Sequence, residues 1–184
     1  MTWQEYLQGR GIEVYPDIIK GDDRYIYYPL DVVSGGNLYH ATQRREIETK
    51  TIRNFIQDDI KSPFTYFNLF AVLKGRFKSV IAVEGVEDAL AVYQGTKNVV
   101  SLGGYSYNRV LFLCYLFDKV IWLHDTDEAG NGFVQKFYER AGILPIVSKI
   151  QPMSTPYKDF NQFWLEDREG ASFFLEQING GSGA

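Results

Sequence analysis

From Phe77 onward the chain alternates short apolar runs with segments of helical period, and that alternation restricts the fold more than any other feature. The runs are Val80-Ile-Ala-Val83, Asn98-Val-Val-Ser101, Val120-Ile-Trp-Leu123 and Pro145 to Ile150. Between them, Val86 to Tyr93, Arg109 to Leu116 and Glu128 to Ala141 read as helices. The first carries Val86, Ala89, Leu90 and Tyr93 on one face, and Gly142 stops the last. Runs that are apolar throughout belong to strands covered on both faces. Strands alternating with helices pair in parallel through right-handed crossovers. The expectation is an α/β unit whose parallel sheet is flanked by helices.

The first 76 residues have a different grain. A short helix from Trp3 to Gln8 is stopped by Gly9 and Gly11, and Arg24 to Leu30 is strand-like in its aromatic and Ile content. The turn Asp31 to Asn37, with Ser34-Gly35-Gly36, makes a hairpin to Leu38–Thr42. Basic residues Arg44, Arg45, Lys50 and Arg53 follow, then a break at Lys61-Ser62-Pro63, and Thr65 to Leu73 reads as a helix. The chain therefore divides into a small mixed α+β subdomain over 1–76, a parallel-sheet subdomain over 77–178 and a tail, 179–184, of flexible-linker composition.

In a parallel sheet the carboxyl ends of all strands share one edge, where open α/β sheets bind ligands. Glu84 and Gly85 follow the first run here, Gly103-Gly104 the second, Asp125 and Asp127 the third, and Asp159 comes shortly after the fourth. Converging carboxylates repel one another unless cations sit between them. Hard oxygen donors suit Mg²⁺, so the pattern points to a site of two or more divalent ions acting on phosphate esters. One cysteine, Cys114, and two histidines, His40 and His124, leave no internal disulfide and no zinc finger within these residues. No apolar run approaches the roughly 18 residues of a membrane span, and the opening Met-Thr-Trp-Gln-Glu is not that of a signal peptide. Net charge is −4, which speaks against nonspecific coating of DNA. The balance is uneven: residues 1–79 hold 11 Lys and Arg against 10 Asp and Glu, residues 80–184 hold 8 against 13.

The run V-I-A-V-E-G-V-E-D-A-L-A, then S-L-G-G, then V-I-W-L-H-D-T-D-E-A-G resembles the TOPRIM domain of bacterial-type DNA primases, topoisomerases and some nucleases, over about Lys78 to Trp164. The resemblance implies Glu84 as a metal ligand or acid–base group and Asp125 and Asp127 as metal ligands. Asp88, Gly103, Gly104 and Asn161 would support them, and His124 is read as structural. The upstream order, Y-Y-P-L-D, a Gly-rich turn, Arg44-Arg45, Ser62-Pro63 and Asn68-Leu69-Phe70, is similar to the N-terminal part of the catalytic core of DnaG-type primases. Lys158-Asp159-Phe160-Asn161 carries Asn where bacterial primases have a second acid, which is closer to the primase halves of phage and mitochondrial primase–helicases.

The resemblance thus implies a primase catalytic core, a DNA-directed RNA polymerase that makes short RNA primers on single-stranded DNA. Glu84, Asp125, Asp127 and Asp159 would hold Mg²⁺ or Mn²⁺. Arg44, Arg45, Lys61 and Lys158 would bind template or substrate. Arg44 and Arg45 are neighbours on a strand and face opposite ways, so at most one lines a groove. The implied partners are single-stranded DNA, nucleoside triphosphates and a replicative helicase on the same or a separate chain. The implied setting is the replication fork in the cytoplasm of a bacterial or phage-infected cell, with no membrane. The alternatives are a TOPRIM nuclease or phosphotransferase, and a noncatalytic nucleic-acid-binding module.

Overall fold

The structure, a computed structural model, describes residues 1–15, 17–60, 64–104 and 106–180. The chain opens with helix α1 (Trp3–Gly9), whose start is fixed by a capping box: the Thr2 hydroxyl accepts from the Glu5 N–H, and the Glu5 carboxylate accepts from the Thr2 N–H. The first sheet is antiparallel. It contains β1 (Lys20–Gly21), β2 (Tyr25–Ser34), β3 (Asn37–Glu46) and β4 (Ile52–Phe55) in that spatial order, with β5 (Phe64–Tyr66) pairing to β2. The β2–β3 hairpin turns on Gly35 and Gly36, both at positive φ (56° and 81°), with Ser34 opposite Asn37. That two-residue loop matches the twist of the strands and needs glycine or asparagine.

Helix α2 (Leu69–Lys74) leads into the second sheet, which is wholly parallel, in the order β7 (Val99–Ser101), β6 (Ser79–Val83), β8 (Lys119–Leu123), β9 (Ile150–Met153). Its crossovers are α3 (Val86–Gly95), α4 (Tyr107–Leu116) and α5 (Glu128–Ala141), and α6 (Phe160–Glu166) and α7 (Arg168–Gly180) close the chain. All five residues of β6 are buried. Ile81, Val83, Ile121 and Leu123 face a core shared with α3, α6, α7, α1 and the β2 residues Ile26, Tyr28 and Leu30. Val80, Ala82, Val120 and Trp122 face the opposite core, with Val110, Leu113, Phe137 and Leu69. The antiparallel half therefore packs into the same apolar cluster as one face of the parallel sheet. An isolated antiparallel bridge also joins the sheets: Phe67 and Ser101 exchange both backbone hydrogen bonds at 3.2 Å.

The α/β architecture with its parallel sheet is as expected. The hairpin turn is shorter than the expected Asp31 to Asn37, because Asp31–Ser34 stay paired with Asn37–His40, and two further elements lie elsewhere than the sequence suggests. Thr65 to Leu73 is not one helix: β5 ends at Tyr66, and Asn68, at φ 67°, turns the chain before α2 begins at Leu69. The fourth parallel strand starts later, at Ile150, because Pro145–Lys149 form a 3-10 turn with the proline at its start, where its missing N–H costs nothing. The break at Lys61-Ser62-Pro63 lies outside the described residues. Among the described residues no helix is long and apolar enough to cross a membrane.

Candidate active site

Each acidic residue singled out at a strand end sits on the same edge of the parallel sheet, placed there by local backbone bonds. Glu84 follows β6, and its carbonyl accepts from the Ser101 hydroxyl (3.0 Å) and the Gly104 N–H (3.2 Å). This ties the end of β6 to the loop after β7. In that loop Gly103 and Gly104 both have positive φ (63° and 105°). Arg109 braces it from α4, donating to the Leu102 and Gly103 carbonyls.

Asp125 and Asp127 occupy the turn between β8 and α5. Asp127 is the N-cap of α5, its Oδ1 accepting from the Gly130 N–H at 2.9 Å. Gly130 cannot carry a side chain: a Cβ there would lie 2.2 Å from the Asp125 carbonyl oxygen. The first turn of α5 is thus pressed against the backbone that presents Asp125. Thr126 between them donates through its N–H to the Lys158 carbonyl (2.7 Å) and through its hydroxyl to the Tyr157 carbonyl (2.9 Å). The Asp-Thr-Asp turn is thereby fastened to the segment carrying Lys158 and Asp159. The His124 ring lies 3.0 Å, through Nδ1, from the Asp125 carbonyl and edge-on to Trp122. Asp159 repeats the Asp127 arrangement, capping α6 by accepting from the Gln162 N–H at 2.7 Å.

The electrostatics show that these groups act on one another. Burial pushes the Asp125 carboxyl up to about 7, and the like charges of Glu84, Asp159 and Asp127 add to the rise. Burial likewise pushes Asp88, in the first turn of α3, up to about 8, reinforced by Asp159 and Asp125. Asp127 goes the other way. The Gly130 N–H and the Lys158 ammonium, 3.4 Å from Oδ2, hold it below the usual range. Asp88 and Asn161 meet directly, the Asn161 N–H donating to Asp88 Oδ1 at 3.1 Å while its side-chain amide donates to the Arg10 carbonyl at 2.9 Å. Asn161 is buried and ties α6 to α3 and to the end of α1.

Glu84, Asp88, Asp125, Gly103 and Gly104 line one side of a cleft of about 330 Å³. The other side comes from the first half of the chain and carries Arg45, Arg10, Gln43 and Asn54. Of the four basic residues expected to meet substrate, Arg45 lines this cleft. Arg44 faces away, stacked between Tyr25 (4.3 Å) and Phe55 (5.2 Å). Lys158 pairs with Asp127, and Lys61 lies outside the described residues.

Arg10 and Glu87 were not singled out from the sequence. Glu87 is almost fully buried and pairs with both arginines of the cleft, Arg10 and Arg45, each at 3.1 Å. Its signal was legible in one respect: it falls among Val86, Ala89, Leu90 and Ala91 on a helix packed on both sides, where a carboxylate needs partners.

Among the described residues no three His, Cys, Asp or Glu side chains are gathered into a ready-made metal cage. Asp127 and Asp159 each commit an oxygen to a helix N-terminus. The donor set fits a different kind of site. Mg²⁺ keeps several waters and is commonly held by one or two carboxylates with its shell completed by substrate phosphates. Carboxyls held neutral by burial and mutual repulsion are the groups that such a cation returns to the charged form.

Residues 81–164 match the Toprim-like family model. No curated protein matches the chain in sequence. Among solved structures, the DnaG catalytic core superposes with a TM-score of 0.68 at 17% identity, covering 95% of this chain and 71% of that one. The primase fragment of the bacteriophage T7 primase-helicase gives 0.60 at 24% identity, with 96% and 71% covered. The DnaG primase catalytic domain bound to single-stranded DNA gives 0.69 at 17% identity, with 96% and 70% covered. The similarity to the Toprim-like model is thus confined to residues 81–164, and the chain as a whole has the fold of DnaG catalytic cores.

Proposed function

We propose that this chain is the catalytic core of a primase, joining ribonucleotides into short primers on a single-stranded DNA template. The observation that carries the reading is the cleft itself, acidic on the parallel-sheet edge and basic on the wall opposite, in a chain whose fold is that of primase cores. Glu84, Asp125, Asp127 and Asp159 would hold Mg²⁺ or Mn²⁺. Divalent ions at such an edge supply activation of a hydroxyl nucleophile and neutralisation of the triphosphate.

The chain's own contribution is placement. The bonds of Thr126 to the 157–158 backbone and of Asp127 to Gly130 fix the aspartates before substrate arrives, so little reorganisation remains at the moment of reaction. Arg45 and Arg10 present positive charge across the cleft, where guanidinium N–H groups match phosphate oxygens. The stacked Tyr25, Arg44 and Phe55 lie on the outer side of the antiparallel sheet, and bases of an unpaired strand stack well on such a surface. In this reading residues 1–76 hold template and nucleotide, residues 77–178 hold the metals, and a replicative helicase supplies the template strand.

The test is incubation with single-stranded DNA, labelled ribonucleoside triphosphates and Mg²⁺ or Mn²⁺, read on a denaturing gel. New oligoribonucleotides that vanish with Asp125→Asn and Asp127→Asn are expected. Shortened DNA without new RNA would identify a nuclease instead, and neither product, with no Mn²⁺ binding, a noncatalytic module.

A further inference from the structure

We infer that Glu87 is a positioning residue that holds Arg10 and Arg45 as the phosphate-binding wall of the cleft. Glu87 Oε1 accepts hydrogen bonds from the Tyr6 and Tyr28 hydroxyls, both at 3.2 Å, and lies 3.1 Å from Arg45 Nε. Its Oε2 lies 3.1 Å from Arg10 Nε. A carboxylate this deeply buried is stable only when paired. Here it is paired twice over: one negative charge meets two positive ones, so the cluster carries an excess positive charge where it borders the cleft.

Both arginines have Nε 3.1 Å from Glu87, at ion-pair distance but without an aligned N–H bond. The carboxylate therefore sets where the two positive charges stand and leaves their N–H groups for another acceptor. Both side chains also line the cleft. The three elements that meet there are far apart in sequence: Arg10 ends α1, Arg45 lies on β3 and Glu87 in the first turn of α3. Gln43 and Asn54 hold each other across β3 and β4 at 3.0 Å beside them. An anion entering the cleft meets arginines on one side and Glu84, Asp88 and Asp125 on the other. The ligand that satisfies both walls is a polyphosphate carrying divalent cations.

The inference rests on the primase reading only for the identity of the nucleotide; the phosphate chemistry stands on the cleft alone. The probe is inorganic tripolyphosphate with Mg²⁺, titrated calorimetrically into the full chain, with adenosine as a phosphate-free control. Arg10→Gln and Arg45→Gln are each expected to weaken tripolyphosphate binding about tenfold, the equivalent of ~1.4 kcal/mol, and to leave adenosine unaffected. Glu87→Gln removes the anchoring charge while keeping an acceptor, and is expected to weaken binding severalfold with both arginines still present. In primer synthesis the same variants are expected to raise the nucleotide KM by similar factors and leave kcat within about threefold, as loss of uniform binding does.

Lower melting temperatures with tripolyphosphate binding unchanged would reduce the cluster to a structural staple and overturn the inference. Should Glu87→Gln fail to fold, the two arginine variants decide the matter, with Arg45→Lys as the charge-conserving member. The two readings fail separately. Primer synthesis with an unchanged KM in the arginine variants sinks this inference alone. Arginine-dependent tripolyphosphate binding in a chain that makes no primer sinks the primase reading alone.

Discussion

Replacing Gly130 by alanine tests the link between backbone packing and the site more sharply than removing a carboxylate would. The added Cβ would stand 2.2 Å from the Asp125 carbonyl oxygen and 2.9 Å from its carbon, where ordinary contact begins at 3.4 Å. Both are backbone atoms, so no side chain can swing aside. The start of α5 must retreat by about 1 Å, a displacement large enough to cost on the order of a hundredfold in rate when it falls on a catalytic group. Overpacking of this kind costs about 1–3 kcal/mol. The same movement strains the bond from the Gly130 N–H to Asp127 Oδ1, and a lost N-cap costs about 1 kcal/mol. A total near 3 kcal/mol, at about 2–4 °C per kcal/mol for a chain of this size, lowers the melting temperature by roughly 6–12 °C.

A neighbour on the same helix supplies the control. A Cβ on Gly132 would meet nothing within 4 Å, so Gly132→Ala gains helix propensity and stabilises by about 0.5–1 kcal/mol. Thermal melts of both variants and of the parent, with primer synthesis on each, make the assay. If Gly130→Ala melts with the parent and keeps its activity, then α5 is not seated against Asp125 as described.

The pH dependence of stability has a sign set by Asp88 and Asp125. Their folded pKa values, about 8 and about 7, lie above the ordinary 3.8, so between pH 4 and 8 the native state holds protons that the unfolded chain has released. Stability of the metal-free protein therefore falls as pH rises through that window. Melts from pH 5 to 8 should show the decline, Asp88→Asn should flatten it, and Mg²⁺ should stabilise more at pH 8 than at pH 5. Arg109→Ala removes the donor that braces the Leu102 and Gly103 carbonyls. It should cost about 1–3 kcal/mol for the unpaired buried groups, read by denaturant titration, and a loss under 0.5 kcal/mol would show that water replaces it. Burial pushes the Cys114 thiol up to about 11, so a disulfide reagent should label it only on unfolding; rapid labelling of the native protein would contradict its place in the core.

What the sequence made legible follows from how local each signal is. Glu84, Asp125, Asp127 and Asp159 could be placed on one edge because a parallel sheet puts every strand end on the same side. The caps of α5 and α6 are written in the aspartates themselves. Elements set by distant partners could not be read in this way. Phe64–Tyr66 is a strand because β2 offers backbone groups to it, and at three residues it is too short to be told from the apolar run that follows it. Ile150–Met153 pairs with β8 as the sheet's edge, where Pro152 is tolerated. The cluster around Glu87 depends on Arg10 and Arg45 arriving from other elements, which no window of neighbouring residues contains. Asn161, named as a supporting residue, owes its place to equally distant partners: its amide N–H donates to the Arg10 carbonyl and its backbone N–H to Asp88.

The bridge between Phe67 and Ser101 has a mechanical meaning. Ser101 gives both backbone groups to Phe67 and its hydroxyl to the Glu84 carbonyl, so the two sheets are pinned at a point beside the acidic edge. A pin of this kind opposes sliding of one sheet past the other. Glu87 of α3 ties the arginine wall to the same unit that carries Glu84, so the two walls of the cleft are held in one frame.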